Sequence, residues 1–189
     1  MLSGLVLAGG RSSRMGREKA LLLLPDGRTL LQRQIDLLRA AGAGSVNVSV
    51  GPGKVFPMAG AGVISDAVSD AGPLAGIAAG LRAAPPGLVL VLAVDMPRMG
   101  EEQLRRLVEQ ATADCGVVPV WEGRCESLVA VYPATLAGSA EAWLVGGQSA
   151  PHAWVRSEVA RGHLKLWEAP AEWAAALRSW NSPEDLPGP

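Results

Sequence analysis

The residues best equipped for chemistry stand just past the ends of apolar runs. Leu5-Val6-Leu7 has no polar alternation and reads as a strand buried on both faces. It passes through Ala8 into Gly9 and Gly10, and then into a segment holding Arg11, Ser12, Ser13, Arg14, Gly16, Arg17 and Lys19. Paired glycines leave no Cβ in the way of a ligand, and successive exposed N–H groups in such a loop form an anion-binding concavity. Four cations opposed only by Glu18 add the countercharge. That chemistry is the binding of a polyphosphate. The plain alternative is a strand-to-helix turn with solvated arginines, since a charge run is usually a wet surface; four cations directly after Gly-Gly favour phosphate binding over it. Spacing rules out two familiar phosphate loops: there is no Gly-x-Gly-x-x-Gly, and Gly16 is followed by Arg17 rather than by Lys and a hydroxyl residue.

A second candidate lies at Asp95. The run Leu88 to Val94 carries no charge and reads as a central strand, and it ends in Asp95-Met96-Pro97. A carboxylate at that tip points into the crevice where open α/β sheets bind ligands. Together with a triphosphate it would hold Mg²⁺, which takes one or two carboxylates plus phosphate oxygens. Alone, Asp-x-Pro is a common turn starter. A third candidate is Gly72-Pro73-Leu74-Ala75-Gly76, with Gly80 close behind: Pro73 suits a first helical turn, and the small residues make the helix slender. Tight helix–sheet packing accounts for those glycines, and so does close approach of a ligand.

The run Leu-Ala-Gly-Gly-x-Ser-x-Arg-Met-Gly-x-x-Lys, from Leu7 to Lys19, resembles the signature of the molybdenum-cofactor nucleotidyltransferases, the MobA-like guanylyltransferase family above all. The resemblance extends over most of the chain. It implies a three-layer, Rossmann-like α/β fold with a mostly parallel sheet. It also implies transfer of GMP from GTP to molybdopterin or its molybdenum form, with Mg²⁺ and release of pyrophosphate. By that likeness Arg14, Lys19 and Asp95 are the catalytic residues, with Asp95 on the metal. The nucleotide is held by Leu7, Ala8, Gly9, Gly10, Arg14, Lys19, Asp66, Gly72, Pro73, Leu74, Gly76 and Asp95. Asn181, in Asn181-Ser182-Pro183-Glu184-Asp185-Leu186, matches a family segment whose asparagines reach the site. Two departures stand out: Ser179 replaces the first of those asparagines, and Ser127 stands where the family has proline before its Leu-x-Ala-Leu-Tyr strand. Implied partners are GTP, the pterin cofactor, and transient contacts with proteins that deliver or accept it. The alternatives are a cytidylyltransferase of the same group and a non-catalytic GTP-binding module.

These residues need a scaffold, and the chain spells one out. Thr29 is placed to cap a helix running to about Ala41, with Leu30, Ile35, Leu37 and Leu38 on its apolar face. Val46 to Val50 and Gly62 to Ile64 read as the next strands, and Pro73 opens the slender helix that ends before Pro85-Pro86-Gly87. An amphipathic helix from Glu101 to Ala111 follows, then strands at Gly116 to Val120 and Leu128 to Tyr132. In the polar link between these two strands, Arg124 and Glu126 are either contacts to the acceptor or a solvated hairpin. Helices near residues 133–144 and 151–161, an edge strand at Leu164 to Trp167, and a helix from Ala169 to Trp180 complete the reading. Alternating α and β elements predict a mostly parallel sheet with helices on both faces, in a single domain spanning residues 1–189.

Composition narrows the partners. A net charge of −1 makes the N-terminal cations a local feature, suited to a small anion and not to a nucleic acid. Cys115 and Cys125 lack metal-ligand spacing and read as reduced thiols. No charged leader and no membrane-length apolar run is visible, so no membrane partner and a cytoplasmic location are expected. His152 and His163 are too far apart for a helical metal pair.

Overall fold

The computed structural model describes residues 1–9, 18–51, 53, 56, 60–65 and 72–180. Strands β1 (Leu2–Leu7), β2 (Ser45–Val50), β3 (Gly62–Ser65) and β4 (Leu88–Ala93) form a parallel block in the order β3-β2-β1-β4. Strand β7 (Val129–Pro133) runs antiparallel to β4 and to β5 (Gly116–Trp121). Two more strands pair with β5: the short β6 (Arg124–Cys125), antiparallel, and β8 (Leu164–Glu168), parallel. The sheet is thus mixed with a parallel core. The antiparallel insertion follows from connection length, since the few residues between β5 and β7 are too short for a parallel crossover.

Helices cover both faces. On one, α1 (Leu30–Ala40) and α3 (Glu101–Gln110) pack with Trp173, Leu177 and Trp180 against Val6, Val48, Leu90 and Leu92. On the other, α2 (Pro73–Ala83), α4 (Ala137–Val145) and α5 (Pro151–Ala160) bury Leu5, Val89, Val91 and Ala130. The alternation of Leu5 and Val6, or of Leu90 and Val91, between these faces is the period-2 geometry of a strand covered on both sides.

Local chemistry sets the boundaries. Thr29 Oγ1 accepts from the Gln32 amide at 3.1 Å and starts α1 as its N-cap. Gly42, at φ 104°, turns the chain away after it. Strand β1 begins at Leu2, earlier than its apolar run, and its Gly4 lets α1 come close: a Cβ there would lie 3.1 Å from Leu38. The expected helix from Ala169 to Trp180 is instead a 3-10 turn (Ala171–Trp173) followed by further turns. Trp173, Ala176, Leu177 and Trp180 are buried at helical spacing, yet the segment is held by those side chains and by the Trp180 amide, which donates to Asp95 O at 2.8 Å. Tertiary anchoring takes the place of a regular backbone ladder.

Candidate functional site

The ends of β1, β2 and β4 are tied together just beyond their ladders. The Ala8 amide donates to Ser49 O at 2.9 Å, and the Val94 amide donates to Leu7 O at 3.0 Å. Leu7, Ala8 and Gly9 therefore leave the sheet beside the exit of β4, at the carboxyl edge where such sheets bind ligands. The amide of Ala8 is committed to Ser49, so a phosphate at this tip would be met from Gly9 onward. Gly10, Arg14, Asp66 and Asn181 lie outside the described residues, as do Arg11 and Arg17.

Lys19 and Asp95, 76 positions apart in sequence, meet at this edge. Lys19 opens a 3-10 turn (Lys19–Leu21) and Asp95 sits in the turn after β4. The Lys19 Nζ is 3.5 Å from Asp95 Oδ2, and the two side chains are 16% and 26% exposed. The ammonium also donates to the carbonyl of Trp180, whose own amide holds Asp95 O. Burial pushes the Asp95 carboxyl above its ordinary value, and the nearby Lys19 charge only partly offsets that.

Gln34 is the residue that sequence reasoning missed. It is wholly buried on α1, and its Nε2 faces the carbonyls of Met96 (2.9 Å), Ala93 (3.4 Å) and Val94 (3.4 Å). The signal was present: a glutamine standing one helical turn from both Leu30 and Leu38, inside the apolar stripe.

The start of α2 lies beside the same edge. Gly72 has φ 71° and Pro73 follows at the first helical position. A Cβ on Gly76 would lie 2.6 Å from Ser49 Oγ and 3.1 Å from Leu7 Cδ2, so this glycine lets α2 seat against the tips of β1 and β2. The Leu74 side chain is fully buried in the core, which leaves only its backbone to a ligand. Arg124 is exposed in the β5–β6 hairpin, while Glu126 beside it is half-buried, and burial raises its carboxyl.

The model of the MobA-like NTP transferase domain matches residues 4–181. The chain is 36% identical over 187 residues to a probable molybdenum cofactor guanylyltransferase of Opitutus terrae, covering 97% of this chain and 92% of that protein. A Mycobacterium tuberculosis protein of the same description is 38% identical over 151 residues, 78% of this chain and 75% of its own length. The chain belongs to the MobA-like NTP transferase family. The fold is shared with molybdopterin-guanine dinucleotide biosynthesis protein A from Archaeoglobus fulgidus (TM-score 0.72, 24% identity, 98% of this chain and 94% of that one). It is also shared with a Mycobacterium tuberculosis protein solved in complex with manganese (TM-score 0.66, 20% identity, 89% of this chain and 87% of that one).

For a member of this transferase family, the donor set around Asp95 is informative. Among the described residues no group of three or more His, Cys, Asp or Glu side chains is arranged to hold a metal. A divalent ion held at Asp95 would take phosphate oxygens beside that carboxylate, the kind of donor set Mg²⁺ favours. The two thiols, Cys115 and Cys125, are free. His163 pairs with Glu158 at 2.7 Å on α5, on the other face of the sheet from Gln34. Among the described residues no helix is long and apolar enough to cross a membrane.

Proposed function

We propose that this chain transfers GMP from GTP to molybdopterin or the molybdenum cofactor and releases pyrophosphate. The observation that carries the reading is the 3.5 Å approach of Lys19 to Asp95 at the carboxyl edge of β1 and β4. The near full-length relative supports the choice of substrates. In this reading the triphosphate enters beside Gly9 and Gly10, and Lys19 exchanges the Trp180 carbonyl for phosphate oxygens. Arg14 adds a second cation, and Asp66 and the Gly72-to-Gly76 backbone contact the nucleoside. Asp95 holds a divalent ion, Mg²⁺ in the cell, which supplies charge neutralisation at the triphosphate. By the motif likeness, Asn181 is assigned to the acceptor. As a consumer of GTP the enzyme works in the cytoplasm.

Such a transfer depends on positioning and electrostatics rather than on a covalent protein intermediate. A terminal phosphate oxygen of the pterin attacks the α-phosphorus of GTP. The new P–O bond forms as the bond to the β-phosphate breaks, and pyrophosphate leaves with the electron pair. The nucleophile already carries negative charge, so no general base is required. Lys19 and Arg14 stabilise the charge that develops on the leaving group. Thermal melting with GTP or CTP, each with Mg²⁺, tests the base assignment: GTP is expected to raise the melting temperature and CTP to leave it unchanged. Equal shifts would overturn the guanylyl assignment, and a shift with CTP alone would favour the cytidylyl alternative.

A further inference from the structure

We infer that Gln34 is a positioning residue for metal binding: its buried amide, oriented by Arg33, fixes the main chain that presents Asp95. The inference rests on the reading of Asp95 as the metal-holding carboxylate. Strand β4 pairs with its neighbours as far as Ala93, and the Val94 amide on Leu7 O at 3.0 Å is the last tie of the Asp95 segment to β1. The carbonyls of that segment are held from outside. Gln34 Nε2 donates to Met96 O at 2.9 Å and lies 3.4 Å from both Ala93 O and Val94 O. The Trp180 amide takes Asp95 O at 2.8 Å. Four successive carbonyls, from Ala93 to Met96, thus face donors supplied by α1 or by the end of the described chain.

The orientation of the amide is determined by what surrounds it. Arg33 Nη1 donates to Gln34 Oε1 at 3.0 Å, so the oxygen faces the guanidinium and the nitrogen must face the carbonyls. The same guanidinium, through Nη2, holds Met99 O at 2.8 Å, on the far side of Pro97. A flipped amide would set an oxygen against three carbonyls and an NH₂ against a cation. An amide buried in an apolar stripe is costly unless it is bonded. Here every bond it makes is to the segment carrying Asp95 or to the arginine that holds the end of that segment.

A role in folding alone would explain the burial but predicts nothing about metal. The consequence for metal follows from geometry: the Asp95 carboxylate is only as well placed as its own backbone. Groups that orient a metal ligand typically change affinity ten- to a hundredfold when lost. The substitution Gln34→Met keeps the length and volume of the side chain and removes the amide. The probe is Mn²⁺ in the presence of saturating GTP and without a pterin acceptor, with the ternary complex followed by water-proton relaxation in the intact chain. Gln34→Met is expected to raise the Mn²⁺ concentration for half-saturation by at least about tenfold. Asp95→Ala is expected to raise it further, and the double variant should match Asp95→Ala alone.

A wild-type Mn²⁺ requirement in folded Gln34→Met, whatever its melting temperature, would overturn the inference. Effects that multiply in the double variant would do the same, since Gln34 would then act independently of Asp95. If Asp95→Ala itself binds Mn²⁺ normally, the metal role of Asp95 has failed and the inference falls with it, a result distinguishable from failure at Gln34 alone. Should Gln34→Met not fold, Arg33→Met leaves the amide in place but removes its orienting partner. It must still raise the Mn²⁺ requirement, and an unchanged value overturns the inference.

Discussion

Placing the first turn of α2 beside the β1 tip requires α2 to lie very close to the sheet, and Gly80 makes that approach possible. A Cβ at Gly80 would come within 2.7 Å of Leu5 Cδ1 and 2.9 Å of Leu5 Cγ, and closer still to Cδ2. Leu5 is wholly buried between β2 and β4, with Ile77 and Leu81 packed in the same cluster, so its side chain has no open space to move into. Two effects compete in Gly80→Ala. Replacing glycine within a helix stabilises by up to about 1 kcal/mol, and overpacking a filled core costs about 1–3 kcal/mol. The expected net is a loss of about 1 kcal/mol, lowering the melting temperature by roughly 2–4 °C for a chain of this size.

An internal control has the opposite sign. Gly138 lies in α4 with nothing within 4 Å of its ideal Cβ, so Gly138→Ala should stabilise by about 0.4–1 kcal/mol. Urea denaturation of both variants checks the pair. In a double-mutant cycle with Leu5→Ala, Gly80→Ala should become favourable, because its methyl would occupy part of the new cavity. If Gly80→Ala stabilises as much as Gly138→Ala does, α2 does not seat on Leu5 as described, and the placement of the Gly72–Pro73 turn falls with it.

Asp95→Asn should raise the melting temperature of the ligand-free protein at neutral pH. Burial raises the Asp95 carboxyl in the fold, so its contribution is fully present below the unfolded value and is lost as pH rises through the folded one. The advantage of the asparagine should therefore vanish in acid and grow toward neutrality, and a variant melting below the parent at neutral pH would contradict this. Glu158→Gln should destabilise by about 1–3 kcal/mol, because the wholly buried carboxylate accepts from Ser139 Oγ and Arg161 Nη1 and pairs with His163. Burial pushes that carboxyl up, but the Ser139 and His163 hydrogen bonds and the Arg161 charge outweigh it and hold it below its usual value. Its contribution is present above the unfolded value and lost as pH falls through the folded one, so the parent and variant melting curves should converge in acid.

Much of this was legible before any coordinates. Thr29 caps its helix as its type and place suggest, and the charge-free run before Asp95 is an inner strand. Pro73 opens α2. The misreadings have physical causes. The apolar run Leu5 to Leu7 marks only the inner part of β1, which reaches back to Leu2 through Ser3 and Gly4. The buried spacing of Trp173, Leu177 and Trp180 looks helical, although the segment is anchored by side chains and by one amide on Asp95. The small residues of α2 supported two explanations, and at Gly76 and Gly80 the direction of the absent Cβ is toward the sheet. The meeting of Lys19 with Asp95 is a tertiary fact that spacing along a chain does not encode. It was anticipated only through the motif likeness. Gln34 was overlooked because its neighbours made α1 look like ordinary core packing.

The central claim is that Lys19 and Asp95 act together on a nucleoside triphosphate. Pyrophosphate release from GTP, Mg²⁺ and molybdopterin measures it most directly, with wild type compared against Lys19→Met and Asp95→Ala. Release should require the pterin, fall on the order of a hundredfold or more without the Lys19 cation, and be abolished without the Asp95 carboxylate. Wild-type rates in either folded variant would contradict the account.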